Sequence, residues 1–133
     1  MKSDLREVAS QARLRGYAPY SRFLVGAALL SKSGLVFSGC NVENVSLGLT
    51  MCAERVCLGK AIEQGERVFE AITIVADSSV PVVPCGACRQ VLAEFSPEML
   101  IVSWTLSGEN QQFTLDTLLP LPVQGILQVP RGT

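Results

Sequence analysis

Apolar residues recur at helical spacing in parts of the chain that end at glycine or proline. The three predicted helices are Asp4–Arg15, Cys52–Gln64 and Cys85–Phe95. Ser3 is suited to cap the first helix, and Gly16, Gly65 and Pro97 follow the three helix ends. Two of the three predicted helices therefore begin at a cysteine.

Strands are predicted where apolar residues run without interruption. The predicted strands are Phe23–Leu30, Leu35–Gly39, Ala71–Ala76, Leu100–Thr105 and a short Gln111–Thr114. The first two flank the turn S-K-S-G and form a hairpin, while A-I-T-I-V-A is typical of a fully buried strand. A helical turn is predicted over Thr114–Leu119, and an irregular tail from about residue 120. The order α β β α β α β β predicts one domain over residues 1–133, with helices packed on a partly parallel sheet.

Composition and charge narrow the kinds of partner. Hydrophobic residues make up 48% of the 133 residues, which indicates that some apolar surface is covered by another subunit. The net charge is −1 and no run of Lys and Arg exceeds two residues, so a small-molecule partner is favoured over a nucleic acid polymer or a membrane. The charged N-terminus resembles neither a signal peptide nor a membrane-spanning segment, and we expect a reducing, cytoplasmic location.

The chain has five cysteines and no histidine, which points to sulfur as the ligand of any metal. Cys85 and Cys88 stand three apart at one predicted helix start, and Cys52 stands at another, so two helix N-termini can direct three thiols to one point. Three thiolates leave a fourth position of Zn²⁺ open, as in catalytic zinc sites. Without histidine, acid–base work falls to a carboxylate, lysine, tyrosine, thiol or metal-bound water.

Charged residues flank two of these three cysteines. Glu54 follows Cys52 by two positions and is placed to transfer protons beside the metal rather than to bind it. Arg55 and Arg89 are placed to donate to the sulfurs and to offset the charge of three thiolates.

Other interpretations of the same residues remain open. A single C-x-x-C is also compatible with a dithiol redox pair, and a structural four-cysteine zinc site would recruit Cys40 or Cys57. A helix turns Cys57 about 140° away from the ligand position, at about 100° per residue, which predicts a core residue. On such interpretations Asn41 and Glu43 are loop polar residues, and Phe23 is part of the core.

Four stretches resemble the small homotetrameric cytidine deaminases. They are Y-S-R-F-L-V-G-A-A-L, G-C-N-V-E-N-V-S, C-A-E-R and P-C-G-A-C-R-Q-V-L-A-E-F, and the resemblance covers about residues 17–120. It implies an α/β, three-layer fold, with helices on both faces of a five-stranded mixed sheet, and a homotetramer with shared active sites. It also implies a pyrimidine-salvage hydrolase that converts cytidine or 2′-deoxycytidine to the uridine nucleoside and ammonia, with one Zn²⁺ per chain.

The resemblance assigns roles to positions of this chain. The residues that would bind zinc are Cys52, Cys85 and Cys88. Glu54 would carry protons, and Phe23 would pack against the pyrimidine. Asn41 and Glu43 would bind ribose hydroxyls, and the backbone of Ala53 would contact the pyrimidine carbonyl.

Two positions depart from the family's pattern. Leu47 stands where the family usually has an aromatic residue, and Val123 stands where the family often has phenylalanine. Because those aromatic residues lie near the substrate, the departures predict room for N4- or 5-substituted cytidines. One alternative is a deaminase of a cytosine-containing antibiotic nucleoside. Another is a catalytically inactive zinc-stabilised binding module, against which Glu54 argues because a structural zinc site does not need it.

Overall fold

A mixed five-stranded sheet organises the part of the chain that the computed structural model describes, residues 2–123 and 127. The strands are β1 (Val25–Ser31), β2 (Val36–Cys40), β3 (Phe69–Ala76), β4 (Leu100–Thr105) and β5 (Asn110–Thr114). The helices are α1 (Lys2–Arg13), α2 (Ala53–Glu63), α3 (Gly86–Ala93) and α4 (Leu115–Leu118), with a short 3₁₀ helix over Leu47–Leu49. The predicted order of elements and the α/β class are confirmed.

The strand order β2-β1-β3-β4-β5 determines which loops meet. The β3–β4 pair is parallel and the other neighbouring pairs are antiparallel. Strands β2 and β3 both run antiparallel to β1, so they end at the same edge of the sheet, where β1 begins. The loops before β1, after β2 and after β3 therefore gather at one edge.

Helices cover both faces of the sheet, which explains why the strands are so uniformly apolar. In β1, Ala27 and Leu29 belong to the main core with α2 and α3, whereas Ala28 and Leu30 pack with residues of α1. Alternate residues of a strand point to opposite faces, so a strand buried on both faces has no polar alternation. The predicted three-layer arrangement is confirmed.

A close crossing at Gly39 sets the position of α2. A Cβ on Gly39 would lie 2.5 Å from the Ala53 carbonyl oxygen and 2.8 Å from both the backbone nitrogen and the sulfur of Cys57. Only glycine permits this approach of the helix to β2. The first turn of α2 is thereby seated directly on the end of the strand.

The predicted element boundaries need small corrections. Helix α1 begins at Lys2, so Ser3 lies inside it, and it ends at Arg13 because the following N–H groups bond three residues back in a tightened turn. Helix α3 ends at Ala93 for the same reason, since the N–H of Phe95 donates to the Leu92 carbonyl.

Three further predictions concern the start of β1, the C-terminal tail and the absence of a membrane-spanning segment. Strand β1 begins at Val25, which leaves Phe23 in the preceding loop. The predicted irregular tail is described only for residues 120–123 and 127, and the rest of it lies outside the described residues. Within the described ranges, no helix is both long enough and apolar enough to cross a membrane.

Candidate active site

A cavity of about 240 Å³ lies at the sheet edge where β2 and β3 end. The predicted residues that line it are Phe23, Asn41, Glu43, Cys52, Ala53, Glu54 and Cys85. Phe23 precedes β1, Asn41 follows β2, and Cys85 caps the helix after β3, so the strand order brings these distant residues together. Two larger hollows, of about 510 and 480 Å³, are lined by none of the residues predicted for the site.

Three cysteine sulfurs converge at the cavity. The Sγ atoms of Cys52, Cys85 and Cys88 all lie within 4.8 Å of one another, and those of Cys52 and Cys85 are 3.9 Å apart. Zinc–sulfur bonds of about 2.3 Å in tetrahedral geometry place sulfurs about 3.8 Å apart, so the cluster fits this ion. Cys52 and Cys85 are the N-cap residues of α2 and α3, where the helix dipoles favour thiolates.

The charges around the sulfurs also suit a cation. A hydrogen bond from Cys88, together with Arg55, lowers the pKa of Cys52 to about 5, while the same hydrogen bond and burial raise the pKa of Cys88. Arg55 Nη2 lies 3.5 Å from Cys52 Sγ and 3.1 Å from the Thr50 carbonyl oxygen. The predicted contact between Arg55 and sulfur is therefore present in the structure.

Arg89 has different partners from those predicted. Its Nε donates to the Pro84 carbonyl oxygen at 2.7 Å, and its Nη1 donates to the Leu118 carbonyl oxygen at 3.1 Å. The expectation that Arg89 donates to a ligand sulfur is thus replaced by two bonds to backbone. Carbonyl acceptors are present at every residue, so the sequence carried no sign of this choice.

Glu54 is a buried carboxyl group beside the thiols. It lies in the first turn of α2 and is 5% exposed. Burial raises the pKa of Glu54 to about 7. A group with such a pKa can both accept and release a proton near neutral pH, which is what general acid–base catalysis needs.

Asn41 supports the loop that carries Phe23. Its Oδ1 accepts a hydrogen bond from the backbone N–H of Val25 at 3.0 Å, and its Nδ2 donates to the Phe23 carbonyl oxygen at 2.7 Å. Nδ2 carries two hydrogens, and the second makes no hydrogen bond among these contacts, so it can donate to a ligand. The sequence did not reveal this supporting role.

Glu43 holds an earlier part of the same loop, at Tyr20 and Ser21. Its carboxylate accepts hydrogen bonds from the backbone N–H groups of Tyr20 and Ser21, at 3.0 and 3.2 Å, and from the Ser21 hydroxyl. The Ser21 hydroxyl holds the pKa of Glu43 below its usual value. Arg22 follows with a φ of 61°, a conformation that is uncommon for a side-chain-bearing residue and is kept here by the bonds on either side.

Sequence reasoning missed part of the cavity wall. Ser21, Thr50, Val82 and Val83 also line it, and the last two stand immediately before the P-C pair. Their place in the sequence could have identified Val82 and Val83, because residues that adjoin a metal ligand in sequence must lie near the site. Neither Leu47 nor Val123 lines the cavity of its own chain.

The other two cysteines lie apart from the cluster. Cys57 is fully buried in the main core, which confirms the prediction from helical spacing, and burial raises its pKa. Cys40 is half-buried at the end of β2. Among the described residues, the group of cysteines close enough to share a metal therefore contains three sulfurs rather than four.

Comparisons with known proteins agree with this geometry. The family described as "Cytidine and deoxycytidylate deaminase zinc-binding region" matches residues 1–104. The cytidine deaminase of Halalkalibacterium halodurans is 54% identical over 113 residues, which cover 84% of this chain and 86% of the relative. The crystal structure of cytidine deaminase from Burkholderia pseudomallei superposes with a TM-score of 0.87 at 46% identity, over 90% of this chain and 97% of that one.

A further relative has a different named substrate. The blasticidin-S deaminase of Bacillus cereus is 30% identical over 126 residues, covering 89% of each chain.

Proposed function

The chain belongs to the family of cytidine and deoxycytidylate deaminases and deaminates cytidine, and we propose that it does so with the residues gathered at this cavity. The convergence of three thiols and a buried carboxyl group carries the proposal. Water adds at C4 of the pyrimidine, the C4–N4 bond breaks, and ammonia leaves, so that cytidine becomes uridine. The same steps convert 2′-deoxycytidine to 2′-deoxyuridine.

Cys52, Cys85 and Cys88 hold the zinc ion of this zinc-binding family, one per chain. When bound, zinc supplies a nucleophile at neutral pH by lowering the pKa of water. Arg55 offsets part of the negative charge of the thiolates through its bond to Cys52. The helix N-termini that present Cys52 and Cys85 add to that compensation.

Glu54 carries the protons of the reaction. It takes one proton from the attacking water and delivers it to N3 of the pyrimidine, and then it moves the second proton, from the hydroxyl formed at C4, to the departing amino group. Its pKa of about 7, which results from burial, suits both directions of transfer. The burial of Glu54 also limits the exchange of its proton with bulk water.

Four residues hold the nucleoside. Phe23 is 37% exposed in the cavity wall and packs against the pyrimidine. The backbone N–H of Ala53, at the start of α2, contacts the pyrimidine carbonyl. Asn41 and Glu43 use their remaining hydrogen-bonding capacity for the ribose hydroxyls. Free cytosine, which lacks the ribose, is accordingly a poor substrate.

The chain forms a single deaminase domain over residues 1–133 and assembles as a homotetramer with shared active sites. Val45, Leu47 and Leu49 support this, because they lie between Glu43 and Cys52 in sequence and are 78%, 67% and 68% exposed. Several apolar side chains this exposed in one short loop are typical of an interface. Light scattering is expected to report a tetramer, and a fully active monomer would contradict the proposal.

Pyrimidine salvage in the cytoplasm is the proposed role, with nucleosides rather than polymers as substrates. The alternative with a specific observation behind it is an antibiotic nucleoside, since a blasticidin-S deaminase is among the relatives. A panel of cytidine, deoxycytidine, cytosine, cytidine monophosphate, substituted cytidines and blasticidin S, followed by ammonia release, separates these functions. Turnover of blasticidin S well above that of cytidine would overturn the proposal, and no turnover at all would favour an inactive binding module.

A further inference from the structure

The side chain of Arg89 joins two segments that are far apart in sequence. Its two donors reach the carbonyl oxygens of Pro84 and Leu118, at 2.7 and 3.1 Å. Pro84 directly precedes the predicted ligand Cys85, and Leu118 ends α4. One guanidinium therefore connects the backbone of the metal site with the end of α4, 29 residues further along the chain.

The Pro84 carbonyl controls how Cys85 is presented. The peptide that contains this carbonyl also contains the nitrogen of Cys85, so its orientation sets the direction of the Cys85 side chain. Pro84 is fully buried, and Arg89 Nε is the donor recorded for its carbonyl among residues 2–123 and 127. Loss of Arg89 would leave this buried acceptor unpaired and free the peptide to rotate.

The three candidate ligands differ in what holds them. Cys88 is fully buried, so packing fixes its side chain, and Cys52 accepts a hydrogen bond from Arg55. The Cys85 side chain is exposed, and its sulfur accepts a hydrogen bond from the Cys88 backbone N–H at 3.5 Å. That donor belongs to the same helix start, so the position of Cys85 depends on the backbone that Arg89 helps to hold.

We infer that Arg89 is a positioning residue that orients Cys85 toward the metal through the Pro84 carbonyl and couples that orientation to α4. The inference rests on the proposed zinc site. An arginine suits this task because its planar fork presents several donors in fixed directions, whereas a lysine offers a single flexible ammonium group.

Two neighbouring bonds provide matched controls. Gln90 Nε2 donates to the Pro122 carbonyl oxygen at 3.0 Å, so it fastens the segment after α4 without touching Pro84. Arg67 Nη1 donates to the carbonyl oxygens of Ile62 and Glu66, at 3.0 and 2.9 Å, at the far end of α2. Arg67 thus makes the same kind of bond away from the cavity.

The experiment measures zinc loss from the purified, zinc-loaded protein and its variants. An excess of a coloured chelator takes up the released zinc, and kcat and KM for cytidine are measured in parallel. Arg89→Met is expected to lose zinc about 10–100-fold faster than wild type, as is typical when a group that orients a ligand is removed. Arg67→Met and Gln90→Met are expected to stay within about twofold of wild type, and Arg89→Lys should fall between wild type and Arg89→Met.

Three results would overturn the inference. They are an unchanged rate of zinc loss in Arg89→Met, an equal acceleration in Arg67→Met, and full restoration by Arg89→Lys, which would assign the effect to charge alone. If Arg89→Met does not fold, Arg89→Lys decides: a rate equal to wild type contradicts the inference and a faster rate supports it. A wild type that holds zinc without deaminating cytidine would contradict the proposed function and leave this measurement intact.

Discussion

Gly39→Ala tests whether the close seating of α2 on β2 is what brings the halves of the site into register. A Cβ on Gly39 would lie 2.5 Å from the Ala53 carbonyl oxygen, and ordinary contact begins at 3.4 Å, so the approach is short by about 0.9 Å. The Cys57 backbone nitrogen, at 2.8 Å, is also too close. Backbone atoms of a helix cannot rotate away as a side chain can. The start of α2 therefore has to move.

The movement changes one half of the site relative to the other. Cys52 and Glu54 lie at the start of α2, whereas Cys85 and Cys88 lie at the start of α3. Productive geometry tolerates about 0.5 Å, and a displacement of about 1 Å can cost about 10²-fold in rate. We expect kcat/KM for cytidine to fall about 10²-fold, which is about 2.7 kcal/mol. Overpacking should also lower the free energy of unfolding by about 1–3 kcal/mol.

Gly59→Ala is the matched control because it makes the same substitution within α2, the helix that Gly39→Ala would displace. Its Cβ would meet no atom within 4 Å, so the position of α2 should not change. Alanine favours the helix over glycine by about 0.8–1.0 kcal/mol, so the free energy of unfolding should rise slightly. Both variants are assayed by the absorbance change of cytidine deamination, by zinc content and by urea unfolding. If kcat/KM of Gly39→Ala stays within about threefold of Gly59→Ala, the seating of α2 does not control the site.

Three further predictions concern the chemistry. Glu54→Gln is expected to keep its fold and zinc but to lose about 10²–10⁴-fold in kcat, and a variant that keeps about a third of wild-type turnover would show that another group carries the proton. Zinc analysis with X-ray absorption is expected to find about one zinc per chain with three sulfur ligands, whereas four sulfurs would indicate a structural site. Wild type is expected to favour 5- or N4-substituted cytidine over plain cytidine more than a Leu47→Tyr, Val123→Phe variant does. Neither residue lines the cavity of its own chain, so the effect requires the proposed tetramer, in which the aromatic rings would fill space in the cavity of a neighbouring subunit. Such aromatic contacts are worth about 0.5–1.5 kcal/mol, and equal kcat/KM ratios would contradict the idea.

Local patterns in the sequence determined the layers of the fold and two of the three thiols of the metal cluster. The unbroken apolar run of β1 could only be buried on both faces, which required helices on both sides of the sheet. The spacing of Cys85 and Cys88 at a helix start brings their sulfurs together whatever the rest of the chain does. The departure of Cys57 from the ligand face followed from the same helical period.

Tertiary structure alone decided which distant residues meet. Cys52 joins the other two thiols only because β1 lies between β2 and β3 and runs opposite to both, which brings the starts of α2 and α3 to one edge. The supporting role of Asn41 and the partners of Arg89 likewise involve backbone groups of separate segments. Every residue carries a carbonyl and nearly every residue an amide N–H, so the sequence cannot mark which of them a side chain will bind. The physical choice is made by the packing that places a particular carbonyl within reach.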